Sequence, residues 1–323
     1  MLSTSINVID DVTVRSLVTH RDAIEVIRSV YADYGRVGTV LSNPPAMLMA
    51  PLAAESAAFK VKGAHVPSQG ISGFRLIADR MIDGRESTID LCWVADSVTG
   101  KVLGVIDETW LHRVRTAMTG VVAMTYLARP KSRIATIIGA GQISNELPAG
   151  LAQAFDLDEI RIVSRRIETA QALAERNAGA CPIRALASID EAIEGADIVI
   201  TCSSSESPLV HAAQLRPGMT LCSLGGGPEL ASDIVERADL LVVDDFAYAC
   251  TIGSVHGWIE AGIAPDQLRG RISANIGEIA ADPARIRRNE SDVVVAVIQG
   301  MACCDLALAG LVLDRASGRR SAA

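Results

Sequence analysis

Aromatic side chains are scarce in this chain of 323 residues; Phe, Trp and Tyr together supply 3%. The hydrophobic 49% is therefore built mainly from Ala, Val, Ile and Leu, a mix that suits a parallel sheet covered by helices. Basic charge is also in deficit. Thirty Lys and Arg face 38 Asp and Glu, for a net charge of −8, which argues against nucleic acid as a main partner. Between Met1 and Asp11 no basic segment precedes an apolar run, and no uncharged stretch reaches membrane-spanning length. The expectation is a cytoplasmic protein with no membrane partner. The seven cysteines form no Cys-x-x-Cys pair, and the five histidines show no metal-ligand spacing. They read as small buried thiols in a reducing compartment, with neither a disulfide frame nor a metal site. The chain has no repeats and no low-complexity linker.

What is present begins with a glycine turn. Apolar residues from Ile134 run into Gly139-x-Gly141-x-x-Ser144, and helix-compatible sequence follows from Asn145 to Ala154. A buried strand, a glycine turn and a helix start in that order form the place where a doubly wound fold lays a dinucleotide pyrophosphate on backbone N–H groups. Gly139 allows the tight turn, and Gly141 lets the backbone approach the phosphates without a Cβ. Ser144 is a small but imperfect third member. Gln142 and Ile143 complete the turn as candidate cofactor-binding residues. The same pattern serves an ordinary strand-to-helix turn, so the context carries the reading.

That context is a series of strand–helix units from Arg133 onward. Strands are expected over Ile134–Ile138, Glu159–Val163, Ile198–Cys202, Thr220–Leu224 and Leu240–Val243, with helices such as Thr169–Asn177 and Ile189–Glu194 between them. The N-terminal part reads differently. One helix is expected from Asp11 to Tyr34, then short strands around Met47, Ala58–Lys62, Phe74–Ala78, Ser87–Val94 and Val102–Asp107, then a long helix from near Thr109. Val293 to Ala316 reads as a helix that returns to this first region. The expected fold is α/β: a Rossmann doubly wound parallel sheet, residues 119–296, inserted into an α+β substrate and dimerisation domain made of residues 1–118 and 297–323.

The second Rossmann strand ends in Val163-Ser164-Arg165-Arg166, where an NAD-binding site usually places a carboxylate for the ribose hydroxyls. Ser164, Arg165 and Arg166 suit a 2′-phosphate instead, so NADP(H) is favoured over NAD(H). The arginines also fit a solvated helix start, or stacking on adenine with NAD. Thr201 and Ser203, after the strand from Ile198, are expected to line the cofactor crevice. Gly225, within the run Gly225–Gly227, would let backbone approach the nicotinamide.

Taken together the chain resembles the ornithine cyclodeaminase/μ-crystallin family. The resemblance rests on His112-Arg-Val-Arg-Thr-Ala-Met-Thr-Gly120, Ile138-Gly-Ala-Gly-Gln142 and Asp197-Ile-Val-Ile-Thr-Cys-Ser-Ser-Ser-Glu-Ser-Pro-Leu209. Leu215-Arg-Pro-Gly218, Val243-Asp-Asp245, Ile276-Gly-Glu-Ile279 and Gly300-Met-Ala-Cys-Cys-Asp-Leu-Ala307 extend it over nearly the whole chain. It implies a nicotinamide-linked fold, a homodimer built through the substrate domain, and chemistry on an amino acid or its imine. The family's Arg-Thr-Ala motif falls on Arg115-Thr116-Ala117, which implies that Arg115 binds the substrate carboxylate; a helix-surface salt bridge is the plainer alternative. A planar guanidinium is suited to such a clamp. A second family arginine after a proline pair is missing, since Ala46 follows Pro44-Pro45. The resemblance places the family lysine at Arg75 in the preferred register, where Arg75 with Lys62 would hold a distal carboxylate, and at Lys60 or Lys62 in another.

Lys60 and Lys62 share one strand face. If that face is inward, Lys62, His65, Arg75 and Arg115 make a strongly cationic pocket suited to two carboxylates, and His65 or Lys62 assists the proton step; the plainer alternative is that one or two of these side chains face solvent. Cyclodeaminase relatives carry an aspartate in Gly-Ala-Asp-x-x-Gly-Lys-x-Glu-Leu. This chain reads Leu224-Gly-Gly-Gly-Pro-Glu-Leu230, without it, and Glu229 is left as a weaker acid candidate or a helix cap. The expectation is an NAD(P)-dependent oxidoreductase, closest in character to iminosuccinate reductases of the family. It would reduce an imino acid to an amino acid, with iminosuccinate to aspartate as the first choice. The alternatives are a ketimine reductase or alanine dehydrogenase, an ornithine cyclodeaminase, and a non-enzymatic NADP-binding crystallin-like protein.

Overall fold

The computed structural model describes residues 6–36, 39–41, 46–52, 55–82, 85–179, 181–285 and 289–318. The chain divides into two compact units, Met1–Arg115 with Met301–Ala323, and Thr116–Gly300. Pro44 and Pro45 lie outside the described residues.

The first unit contains β1 (Val8–Ile9), α1 (Asp11–Leu17), α2 (His20–Arg36), β2 (Val40–Leu41), β3 (Ala46–Leu52), β4 (Glu55–Val66), β5 (Ile71–Ile82), β6 (Arg85–Asp96), β7 (Val102–Asp107) and the start of α3 (Thr109–Leu127). The strands run in the order β1-β7-β6-β5-β4-β2, with β3 also on β4. All pairs are antiparallel except β1 with β7. One face of this sheet is covered, and burial alternates along the described parts of β4 and β6. Lys62, Ala64 and Val66 are buried while Val61, Gly63 and His65 are not. Asp90, Cys92 and Val94 repeat the alternation on β6.

The second unit continues with β8 (Ile134–Ile138), α4 (Leu147–Ala154), β9 (Glu159–Val163), α5 (Ile167–Arg176), β10 (Ile183–Leu186), α6 (Ile189–Ile193), β11 (Ile198–Thr201), β12 (Thr220–Ser223), α7 (Ile234–Arg237), β13 (Leu240–Val243), α8 (Phe246–Ala249), α9 (Gly253–Glu260), α10 (Pro265–Arg271), β14 (Ile272–Asn275), α11 (Ile276–Ala281) and β15 (Val294–Val297). Its sheet has the order β10-β9-β8-β11-β12-β15-β13-β14, and every pair is parallel. β11, β12 and β15 are buried along their whole length, as strands covered on both faces must be. This is the expected doubly wound sheet. Its strand order reverses between β8 and β11, which makes the carboxyl ends of those two strands the natural ligand crevice.

Two expected helices are divided. The stretch from Asp11 to Tyr34 forms α1 and α2, because Thr19 and Asp22 cap a new helix start. The Thr19 N–H donates to Asp22 Oδ2 at 2.8 Å and the Asp22 N–H donates to Thr19 Oγ1 at 3.2 Å, a reciprocal cap. The stretch from Val293 to Ala316 is a strand followed by α12 (Ala302–Ala316). The β-branched run Val293–Val295 favours the strand. Gly300, at φ +82°, then turns the chain in a conformation open to glycine at no cost. α12 packs on β4, β5, β6 and α2 of the first unit. Its residues Cys303 to Ala309 are buried, Asp305 among them.

Candidate active site

In the second unit the turn after β8 is set by a close approach of backbones. Gly139 has φ +120°, and a Cβ there would lie 2.1 Å from the Cys202 carbonyl oxygen after β11. Ser144 explains the missing third glycine. It is fully buried, and its hydroxyl donates to that same carbonyl at 3.0 Å. Serine thus ties the two strand ends of the switch point together, which a glycine could not do. Gly141 and Gln142 are exposed and Ile143 is half-buried. The space where a Cβ of Gly141 would stand is empty to 4 Å, so the backbone there is open to a phosphate group. The arrangement fits a dinucleotide pyrophosphate.

The other cofactor candidates of this unit meet at one carboxylate. Glu229 is fully buried. Its Oε1 accepts from the Ser203 N–H at 2.6 Å and the Ser203 hydroxyl at 2.8 Å. Its Oε2 accepts from the Thr201 hydroxyl at 2.7 Å, the Ser223 hydroxyl at 2.9 Å and the Gly225 N–H at 2.9 Å. Thr201, Ser203 and Gly225 are therefore brought together. Glu229 caps no helix, and with donors on both oxygens it is poorly placed to give up a proton. At the end of β9, the Ser164 hydroxyl donates to the Arg166 carbonyl at 2.7 Å, while Arg165 and Arg166 are exposed.

The first unit gathers charge instead. Lys62 and Arg75 are opposite each other across β4 and β5, and Arg75 is opposite Cys92 across β5 and β6. All three side chains belong to the covered face. Arg75 is fully buried. Its Nε is 2.6 Å from Glu108 Oε1, its Nη2 is 3.1 Å from Asp90 Oδ1 and its Nη1 is 3.5 Å from Asp305 Oδ1. Arg115 on α3, also buried, donates from Nε to Asp305 Oδ1 at 2.6 Å. His112 lies between the two arginines. Its Nδ1 is 2.9 Å from Arg75 Nη1 and 3.0 Å from Arg115 Nη2. Guanidinium groups only donate, so Nδ1 must accept and the ring proton sits on Nε2. Burial, then Arg75 and Arg115, hold His112 well below the ordinary histidine range, in keeping with a neutral ring.

The pocket expected from the bases alone was strongly cationic. Asp90, Glu108 and Asp305 correct that expectation, since three buried acids stand against Lys62, Arg75 and Arg115. Burial, followed by Arg115 and Arg75, pushes the Lys62 ammonium well below the ordinary lysine range. Burial likewise pushes the Glu108 carboxyl up to about 7, with Arg75 opposing it. His65 does not join this group. An odd spacing on one strand puts it on the opposite face from Lys62, where its Nδ1 is 2.9 Å from the Ser72 hydroxyl.

Three buried polar atoms of the cluster have neither a hydrogen-bond partner nor one of these ion pairs: Arg115 Nη1, Asp305 Oδ2 and Glu108 Oε2. Buried polar groups are nearly always satisfied in folded proteins. A donor left open on a buried guanidinium is what a carboxylate ligand would complete. Asp90, Glu108, His112 and Asp305 were missed as site residues by sequence reasoning. A signal existed for Asp305, which interrupts an otherwise apolar helix, and for Asp90, which occupies an inward position of an alternating strand. Among the described residues no group of His, Cys, Asp and Glu is arranged to hold a metal ion, and no helix is long and apolar enough to cross a membrane. All seven cysteines are free thiols, with Cys181 and Cys250 half-buried and the rest buried.

A nucleotide-type crevice at a Rossmann switch point, in a chain that also buries two arginines among acids, defines the class as a two-unit α/β protein of the nicotinamide-enzyme type. The chain belongs to the ornithine cyclodeaminase/mu-crystallin family, whose family model matches residues 7–320. An uncharacterized cyclodeaminase of Sinorhizobium fredii is 31% identical over 271 residues, covering 80% of each chain. The Delta(1)-pyrroline-2-carboxylate reductase of Bacillus cereus is 24% identical over 259 residues, covering 77% of this chain and 78% of that one. The solved structure of Thermococcus litoralis Delta(1)-pyrroline-2-carboxylate reductase, in complex with NADH and L-proline, superposes with a TM-score of 0.85. It covers 96% of this chain and 97% of its own at 21% identity, and so shows the shared fold.

Proposed function

We propose that this protein is an NAD(P)H-dependent imino-acid reductase whose substrate carries one carboxylate. The observation that carries the reading is Arg115 Nη1, a buried donor without a hydrogen-bond partner, beside an Arg75 whose three nitrogens all face acids. One incoming carboxylate completes Arg115. A second would need another unmatched cation, and Arg75 is already held by Glu108, Asp90 and Asp305. An imino dicarboxylate such as iminosuccinate therefore ranks below a cyclic or simple monocarboxylic imine. Delta(1)-pyrroline-2-carboxylate and iminopyruvate are of that type.

When bound, the reduced nicotinamide supplies hydride to the imine carbon. The nitrogen needs one proton, and Lys62 is suited to give it. Its lowered pKa makes the ammonium a better acid than an ordinary lysine. His112, neutral and with Nδ1 occupied, serves as a fixed dipole that orients both guanidinium groups. Gly139, Gly141, Gln142 and Ile143 would hold the pyrophosphate. Arg165 and Arg166 would favour the 2′-phosphate of NADP(H). Ring closure of ornithine is disfavoured, because the only carboxylate in the stretch Leu224–Leu230 is Glu229, whose oxygens are occupied. A homodimer through the uncovered face of the first sheet accords with its exposed apolar residues. Phe74 and Ile89 are 39% and 48% exposed, and Phe74 stacks on Trp93.

The test is coenzyme oxidation by the purified full chain, with NADPH and NADH in parallel. The substrates are Delta(1)-pyrroline-2-carboxylate, pyruvate with ammonium, and oxaloacetate with ammonium. Turnover of either monocarboxylic substrate above that of oxaloacetate is expected. Turnover of oxaloacetate alone would restore the dicarboxylate reading. Coenzyme binding with no turnover of any imine would move the protein to a non-enzymatic role.

A further inference from the structure

We propose that Glu229 is a positioning residue that fixes the nicotinamide half of the coenzyme crevice independently of the adenosine half; this rests on the coenzyme reading above. The argument starts from its partners. All five groups on the Glu229 carboxylate are donors, and they come from two separate strand ends. Thr201 ends β11 and Ser203 follows it, while Ser223 ends β12 and Gly225 follows it. The approach is tight. A Cβ on Gly225 would fall 2.4 Å from the Glu229 carboxyl carbon. The Glu229 backbone is itself held in place, for the Leu209 N–H donates to the Glu229 carbonyl at 2.7 Å and the Glu229 N–H donates to the Gly227 carbonyl at 2.9 Å.

Each carboxylate oxygen takes one backbone N–H, Ser203 on Oε1 and Gly225 on Oε2. Hydroxyl groups can rotate to accept from an amide, but a backbone N–H cannot. A glutamine here would set its NH2 against one of those N–H groups in either orientation. The site therefore requires an acceptor at both oxygens, which only a carboxylate provides. Serine, threonine and glycine at the strand ends read individually as loop-forming residues. Joined on one buried anion, they become a single rigid corner.

Its location gives the corner a function. The phosphate turn follows β8, and the adenosine side of a doubly wound sheet lies over β8, β9 and β10. The Glu229 corner is on the other side of the switch point, at β11 and β12, where the second mononucleotide half binds. Disturbing Glu229 should therefore affect the nicotinamide end and leave the adenosine end intact.

The test is equilibrium binding of NADPH and 2′-phospho-ADP-ribose, and of NADH and ADP-ribose, to full-length wild type and Glu229→Gln, with thermal unfolding measured alongside. For Glu229→Gln, dinucleotide affinity should fall about tenfold, the scale of one unmatched buried donor. Affinity for the fragment lacking nicotinamide should stay within about twofold. Should Glu229→Gln fail to fold, Glu229→Asp reads the same ratio, since the shorter side chain draws both strand ends out of place. Equal weakening of dinucleotide and fragment, or no weakening of either, would overturn the role. A wild-type protein that binds neither would overturn the coenzyme reading itself, and the role of Glu229 with it.

Discussion

Both units bury carboxylates, but they satisfy them in opposite ways. In the second unit Glu229 is surrounded by neutral donors, with at least two on each oxygen. In the first unit Asp90, Glu108 and Asp305 lie against the full charges of Arg75 and Arg115, and the match is incomplete at Arg115 Nη1, Asp305 Oδ2 and Glu108 Oε2. A carboxylate held by neutral dipoles has a fixed geometry and no capacity for another partner. A charged cluster with open valence is costly alone, because charges taken from water need complete pairing. The difference separates scaffold from ligand site. The Glu229 corner is complete as it stands, whereas in the proposed function the open Arg115 donor is completed when a carboxylate arrives.

The strongest way to break that comparison is Arg115→Met. It removes the open donor and leaves Asp305 without its 2.6 Å partner. Truncating one member of a buried, hydrogen-bonded charge pair costs about 2–5 kcal/mol. We expect kcat/KM for a monocarboxylic imine to fall by roughly a hundredfold or more, with fragment binding at the nucleotide crevice unchanged. Steady-state kinetics with a parallel ADP-ribose titration would measure both.

Asp305→Asn sharpens the comparison by changing charge with little change of shape. It removes one acid from the cluster and leaves an uncompensated base. Selectivity should then move toward the dicarboxylic substrate. The ratio of kcat/KM for oxaloacetate with ammonium to that for pyruvate with ammonium should rise by about three- to tenfold, the scale of one charge-assisted hydrogen bond. An unchanged ratio would show that the charge balance does not set selectivity.

Glu108→Gln gives the smallest effect, read in stability against pH. The Glu108 carboxyl is pushed from 4.5 up to about 7, chiefly by burial. Between those values the folded state retains a proton that the unfolded state releases. The group's contribution is therefore fully present below about 4.5 and is lost as pH rises to about 7. The variant cannot titrate there. Its stability relative to wild type should rise across that window and level off above it. Urea unfolding at several pH values across the window checks the sign. A flat difference would mean that Glu108 titrates as an ordinary surface carboxylate.

The fold was largely legible because its strands are strongly patterned. Ile134–Ile138, Glu159–Val163 and Leu240–Val243 were read as they occur, since buried parallel strands are continuous apolar runs. The switch point could also be read, as glycine-rich turns mark close backbone approach. The charged cluster as an assembly could not, although Asp305 and Asp90 each left a local signal. Asp90, Glu108 and Asp305 are far apart in the sequence, and an isolated acid is usually solvated. Counting the bases without them produced a pocket with excess positive charge. His65 was misplaced for a simpler reason. Lys60 and Lys62 were assigned a shared face by alternation, but the same rule applied to His65 turns it away. Ser144 shows the converse, a residue that looked like a flaw in a glycine motif but serves as the hydroxyl joining two strand ends.

The most direct measurement of the central claim is equilibrium binding of L-proline and L-prolinamide to the coenzyme-saturated wild type and to Arg115→Met. The account predicts that wild type prefers the carboxylate by about tenfold or more, and that Arg115→Met binds both weakly and without preference. Equal binding of the acid and the amide by wild type, or a preference that survives in Arg115→Met, would contradict the clamp.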